Sequence, residues 1–180
     1  YGMDPLTFAA IRVGAGALSL GFLVIIQGQS PLESIRNRWK LALALTTYMI
    51  GFSIAYLSLG VGMGALILFG LLQIMMFGWA IFQGQTVSNM RWAGAVFALI
   101  GLVILLWPSE LEVVPLAGTL AMIAATVGWT VYTILGQALR DPLQATAGHF
   151  ILCFPMVAVF LVFTSGDLPL GGIVSALCAG

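Results

Sequence analysis

Apolar residues run in stretches of about 20 along the whole chain, and the short segments between them hold nearly all the charge. The stretches cover roughly 5 to 27, 38 to 58, 62 to 83, 91 to 108, 115 to 136 and 145 to 164, and another opens near 171. A helix of about 20 residues crosses a hydrocarbon core of about 30 Å. The pattern therefore predicts an all-α membrane protein, a polytopic helical bundle with six full spans and a truncated seventh. The seventh stops at Gly180 after about ten residues, too few to cross. The first residue is Tyr1 rather than Met. The expectation is a piece of a longer membrane protein.

The breaks between stretches carry the residues that helix ends use. Asp4 and Asp141 can accept from free backbone N–H groups, and Pro5 and Pro142 follow at the first helical position. Pro108, Pro115 and Pro169 lie at the edges of apolar runs, whereas Pro155 falls inside the sixth, where a packing bend and a hinge are both open readings.

Charge then sets an orientation. Arg36, Arg38 and Lys40 lie between the first and second spans, Arg91 between the third and fourth, and Arg140 between the fifth and sixth. With alternating spans, all five share one side, while the opposite loops carry Glu110, Glu112 and Asp167. The positive-inside rule places the Arg36/Arg38/Lys40 loop in the cytoplasm. Composition agrees with a lipid setting: 61% of residues are hydrophobic and 7% charged, against roughly 25% charged in a soluble domain, and mean hydropathy is +1.12. The formal net charge is zero, and no basic tract suggests nucleic acid.

One pattern occurs twice. Asp4-Pro5-Leu6 leads to Arg12, and Asp141-Pro142-Leu143 leads to His149. A shift of 137 residues also carries Ala10 onto Ala147 and Arg38 onto Ser175, where the truncated run begins. An odd number of crossings separates the copies, so they traverse the bilayer in opposite directions, as inverted repeats do. Two five-helix repeats fit this frame: residues 1–108, lacking the first helix, and 109–180, truncated.

The segment Asp4-Pro5-Leu6-Thr7-Phe8-Ala9-Ala10-Ile11-Arg12, the glycine-rich joint Gly60 to Gly70, and Trp92-Ala93-Gly94 through Gly101-Leu102-Val103 to Pro108 come in a telling order. Gly128-Trp129-Thr130-Val131-Tyr132 adds an aromatic segment. In these residues the chain resembles the drug/metabolite transporter superfamily of the EamA type. The resemblance implies ten helices in two inverted repeats, of which helices two to seven and the start of eight would be present. It also implies export of small organic metabolites or drugs across a bacterial-type inner membrane by alternating access. The family usually shows Gly-Glu before its fifth helix, where this chain has Gly84-Gln85.

Candidate chemistry inside the spans is sparse. Arg12 sits seven residues into its helix, roughly 10 Å from the end, and reads equally as a path lining or a snorkelling anchor. His149 is the single imidazole; it is a satisfied interior group or, by its match to Arg12, a functional one, and protonation there would couple transport to pH. Gln73 needs partners that lipid cannot give, and Gly70, Gln73 and Phe77 share a helical stripe that serves either helix packing or substrate contact. Trp129 and Tyr132 share a face, and Tyr48 offers a hydroxyl in the second span. Together these aromatic residues would hold an amphipathic organic molecule by stacking and a few hydrogen bonds.

Other classes are less well served. An intramembrane enzyme needs a nucleophile with a base, or clustered His and carboxylate ligands, at membrane depth; here every Asp and Glu lies in a loop or at a helix end. Catalysis, cofactors and metals are not indicated, and Cys153 and Cys178 have no ligand-like spacing. A small multidrug transporter working as an antiparallel dimer would have far fewer spans. The sequence reading is a secondary transporter of small organic molecules, with lipid as its solvent and its oligomeric state open. The alternative is a non-transporting membrane scaffold or receptor-like subunit.

Overall fold

A computed structural model describes residues 5–30, 39–106, 115–139 and 141–159. The expected cap at Asp4, the basic residues Arg36, Arg38 and Arg140, the acidic Glu110, Glu112 and Asp167, Pro108, Pro169, Cys178 and the run from 171 lie outside these residues.

Among the described residues there are six helices and no strand: α1 (Pro5–Ile26), α2 (Trp39–Ala55), α3 (Val61–Phe82), α4 (Asn89–Leu106), α5 (Leu116–Gly136) and α6 (Pro142–Ala158). Each falls on one of the apolar stretches. The helices α1, α3 and α5 are long and apolar enough to cross a membrane. The helices α2 and α6 have 17 residues each, about 26 Å of helix at 1.5 Å per residue, short of a full hydrocarbon core. For α2 the run of apolar sequence is longer than the run of helix: the chain gives way to a turn after Ala55, with Leu59 N–H still returning to Ala55.

Local chemistry explains several ends. The Asp141 carboxylate accepts from Gln144 N–H at 3.1 Å, with Pro142 opening α6, as the sequence leads one to expect. Two helices close with the same tripeptide. Gly28 in Gln27-Gly28-Gln29 and Gly84 in Gln83-Gly84-Gln85 have φ of 72° and 73°, a backbone region open to glycine at little cost. Gln29 N–H then returns to Val24 and Gln85 N–H to Ala80, satisfying carbonyls that a helix end leaves free. Gly84-Gln85 is therefore a helix stop. The chain remains helical across Pro155.

Two contacts organise the bundle. The helices α2 and α5 run antiparallel and approach backbone to backbone: a Cβ on Gly51 would stand 2.7 Å from the Ala121 oxygen, and one on Gly128 would stand 2.7 Å from the Ala44 oxygen. In lipid, where tails are as apolar as leucine, small residues are what let helices pack this closely. The helices α1 and α6 also run antiparallel, with Gln29 Nε2 donating to the Asp141 carboxylate at 3.0 Å, Gln144 Nε2 donating to the Ser30 carbonyl at 2.9 Å, and Phe154 against Gly14 further along. One buried cluster joins Ala9, Ala10 and Val13 of α1 to Leu45 and Met49 of α2 and Cys153 and Val157 of α6. A second joins Ala55 and Leu59 to Leu68 of α3 and Met122 and Ala125 of α5. Tyr48 packs against both.

Hydroxyl groups on the helices are largely returned to their own backbone. Thr46, Ser53, Thr126, Thr130 and Thr133 each donate to the carbonyl four residues earlier at 2.8 Å. Such bonds let hydroxyls sit in apolar surroundings without a partner from another helix.

Candidate functional site

On α2, Tyr48, Phe52 and Tyr56 follow at intervals of four, so their rings project from one face of that helix and the turn after it. Their centroids are 5.5 Å and 4.6 Å apart in sequence. The Gly128 contact draws α5 against α2 and sets the next residue, Trp129, 4.8 Å from Tyr48. Tyr132 lies one turn further along α5, 5.7 Å from Trp129 and stacked on it. Its hydroxyl is 3.2 Å from Nδ1 of His149 on α6. The result is a continuous wall of rings running Tyr56, Phe52, Tyr48, Trp129, Tyr132 and His149, built from α2, α5 and α6.

Arg12 completes it from α1. Its guanidinium carbon is 6.0 Å from the centre of the Phe52 ring, and an N–H donates to the Met49 thioether at 2.6 Å. Neither contact neutralises the charge. Asp141, the one carboxylate among the described residues, caps α6 beside Gln29, at the far end of α1. Seventeen residues of chain separate Arg12 from Gln29, about 26 Å along a helix.

Against the wall lies a cavity of about 250 Å3, lined by Tyr48, Phe52, Tyr56 and Trp129 on one side and by Leu68, Phe69 and Leu72 of α3 on the other. No lining residue carries a charge, so binding there rests on ring faces, leucine side chains and two phenolic hydroxyls. Such an arrangement can hold and orient an organic molecule by stacking and a few hydrogen bonds. No group of three or more His, Cys, Asp or Glu that could hold a metal occurs among the described residues.

The residues picked out from sequence divide in two. Arg12, Tyr48, Trp129, Tyr132 and His149 come together in the wall. Gln73 and Phe77 do not join them. Their stripe with Gly70 turns toward α4, where Gln73 Nε2 donates to the Ala95 carbonyl at 2.8 Å and the Phe77 ring lies 5.1 Å from Trp92. They line a separate cavity of about 280 Å3 between α3 and α4. Phe52, Tyr56 and Met49 are the wall residues that sequence reading missed. The regular four-residue spacing from Tyr48 was the available signal for the first two, and nothing local marked Met49.

The chain matches no protein-family profile, and no solved structure matches it. It is similar to an uncharacterized protein of Pseudomonas aeruginosa, PA1977, at 35% identity over 180 residues. The match takes in 99% of this chain and 62% of the relative, so the chain spans about 62% of that protein's length.

Proposed function

We propose that the chain is the greater part of a secondary transporter that moves small organic molecules across a membrane, with the ring wall on its path. The observation that carries this reading is the convergence of Arg12, Tyr48, Trp129, Tyr132 and His149, from four helices, in one wall, of which Tyr48 and Trp129 line the cavity. Polar and charged groups inside apolar helices are costly and usually face a path or a partner. Transport also gives the inverted repeat a purpose, since alternating access is a rocking of one repeat against the other. Support comes from α1 and α6, which are antiparallel and carry Arg12 and His149 each seven positions beyond the opening residues Pro5 and Pro142. In this reading the family is the EamA-type drug/metabolite transporters, the membrane is a bacterial-type inner membrane, and the Lys40 side faces the cytoplasm. Trp39 and Lys40 at the start of α2, 5.8 Å apart, suit the headgroup region on that side.

The test is flux. Full-length protein reconstituted in proteoliposomes is challenged with a metabolite panel, with and without a proton gradient. Movement of at least one compound above protein-free vesicles is the expected result. No movement of any compound, with folded protein present, refutes the transporter reading and favours a scaffold.

A further inference from the structure

Wall and charge together narrow the ligand. We propose that the site takes a planar aromatic molecule bearing one acidic group, its ring in the cavity and its anion on Arg12. The proposal deepens the transporter reading and rests on it for the site's purpose, but its own evidence is the geometry around Phe52.

The cavity is small. Its volume of about 250 Å3 lies just below the roughly 300 to 1,000 Å3 usual for ligand sites, which suits one ring or two fused rings. Neighbouring rings are tilted rather than coplanar, with interplanar angles of 49° between Tyr48 and Phe52, 66° between Phe52 and Tyr56, and 47° between Tyr48 and Trp129. A flat guest therefore meets both faces and edges, the arrangements that aromatic pairs prefer.

Charge supplies the polarity of the choice. Ring faces alone would also attract an organic cation. Arg12 opposes that, because its guanidinium stands 6.0 Å from the centre of Phe52, a ring that itself lines the cavity. Arg12 contacts the Met49 sulfur and the Phe52 ring, and Asp141, the one carboxylate among the described residues, lies beside Gln29 past the other end of α1. A guest whose acidic group sits on a short arm passes the edge of Phe52 and becomes the counter-ion. Guanidinium and carboxylate match as a two-pronged, charge-assisted pair.

Equilibrium binding to the full-length protein in nanodiscs tests this with four matched probes: indole-3-acetate, the neutral indole-3-acetamide, cationic tryptamine, and the anionic but non-aromatic cyclohexaneacetate. The aromatic anion is expected to bind at least about tenfold tighter than each of the others, the scale of one charge-assisted pair. Arg12→Gln should lower indole-3-acetate to the level of the acetamide, while Arg12→Lys keeps part of the preference. Comparison among probes on the unaltered protein needs no variant, so a poorly folding Arg12→Gln leaves the test intact. Equal binding of anion and amide, or a preference for tryptamine or cyclohexaneacetate, overturns the proposal. Flux of some other compound by protein that binds none of the indole probes overturns this ligand class and leaves the transporter reading standing.

Discussion

Alanine at Gly128 should loosen the bundle, whereas the same change at Gly78 should not. A methyl group on Gly128 would meet the Ala44 oxygen at 2.7 Å, the Tyr48 nitrogen at 2.9 Å and Thr47 Cβ at 3.2 Å. Two of the three are backbone atoms and cannot swing aside, so α2 and α5 must separate. Forcing an extra methyl into a close-packed contact costs about 1–3 kcal/mol, offset by the roughly 0.5–1 kcal/mol that alanine gains over glycine inside a helix. The net loss is about 0–2.5 kcal/mol, centred a little above 1. At about 2–4 °C per kcal/mol for a chain of this size, Gly128→Ala should lower the melting temperature by several degrees. Gly78 on α3 has nothing within 4 Å of its added methyl, so only the favourable term remains, and melting should hold or rise. Thermal unfolding of the purified protein, followed by circular dichroism, reads both. Equal shifts for the two variants would refute the backbone contact. The same displacement moves Trp129 away from Tyr48, so Gly128→Ala should also weaken ligand binding.

Three further outcomes follow from the contacts described. Tyr132→Phe removes the hydroxyl beside His149 Nδ1, and the lost hydrogen bond, about 1 kcal/mol, should appear as a lower melting temperature; unchanged melting would show that the pair contributes nothing to the fold. Asp141→Ala takes away the α6 cap and the acceptor of Gln29, costing about 1–2 kcal/mol, and Asp141→Asn should recover much of it in the same melt. Gln73→Leu should lower stability by about 1 kcal/mol while leaving flux intact, because its amide is spent on α4; abolished flux would put Gln73 on the substrate path.

Helix positions were legible because each apolar stretch had to bury itself somewhere, and proline, aspartate and glycine marked where it stopped. Helix lengths were less so. Hydropathy extends α2 to 58, but the chain turns after Ala55, because residues of a turn can be as apolar as those of a helix. The wall was half legible. Tyr48, Trp129, Tyr132 and His149 stood out by residue type, yet their convergence depends on where α5 crosses α2, and Gly51 and Gly128 fix that crossing through backbone distances. Gln73 shows the converse. An amide in an apolar helix needs a partner, and sequence alone does not distinguish a substrate from the Ala95 carbonyl next door.

The hydroxyls of α5 bear on how the protein is made. Thr126, Thr130 and Thr133 satisfy themselves on their own helix, so α5 can enter lipid before any neighbour has arrived. Tyr132 beside them is different, because its hydroxyl meets a nitrogen of α6, a helix that leaves the ribosome later. Assembly of the ring wall is thus a late event: the threonine hydroxyls of α5 need no neighbour, and the wall is complete only when the sixth helix docks on the fifth.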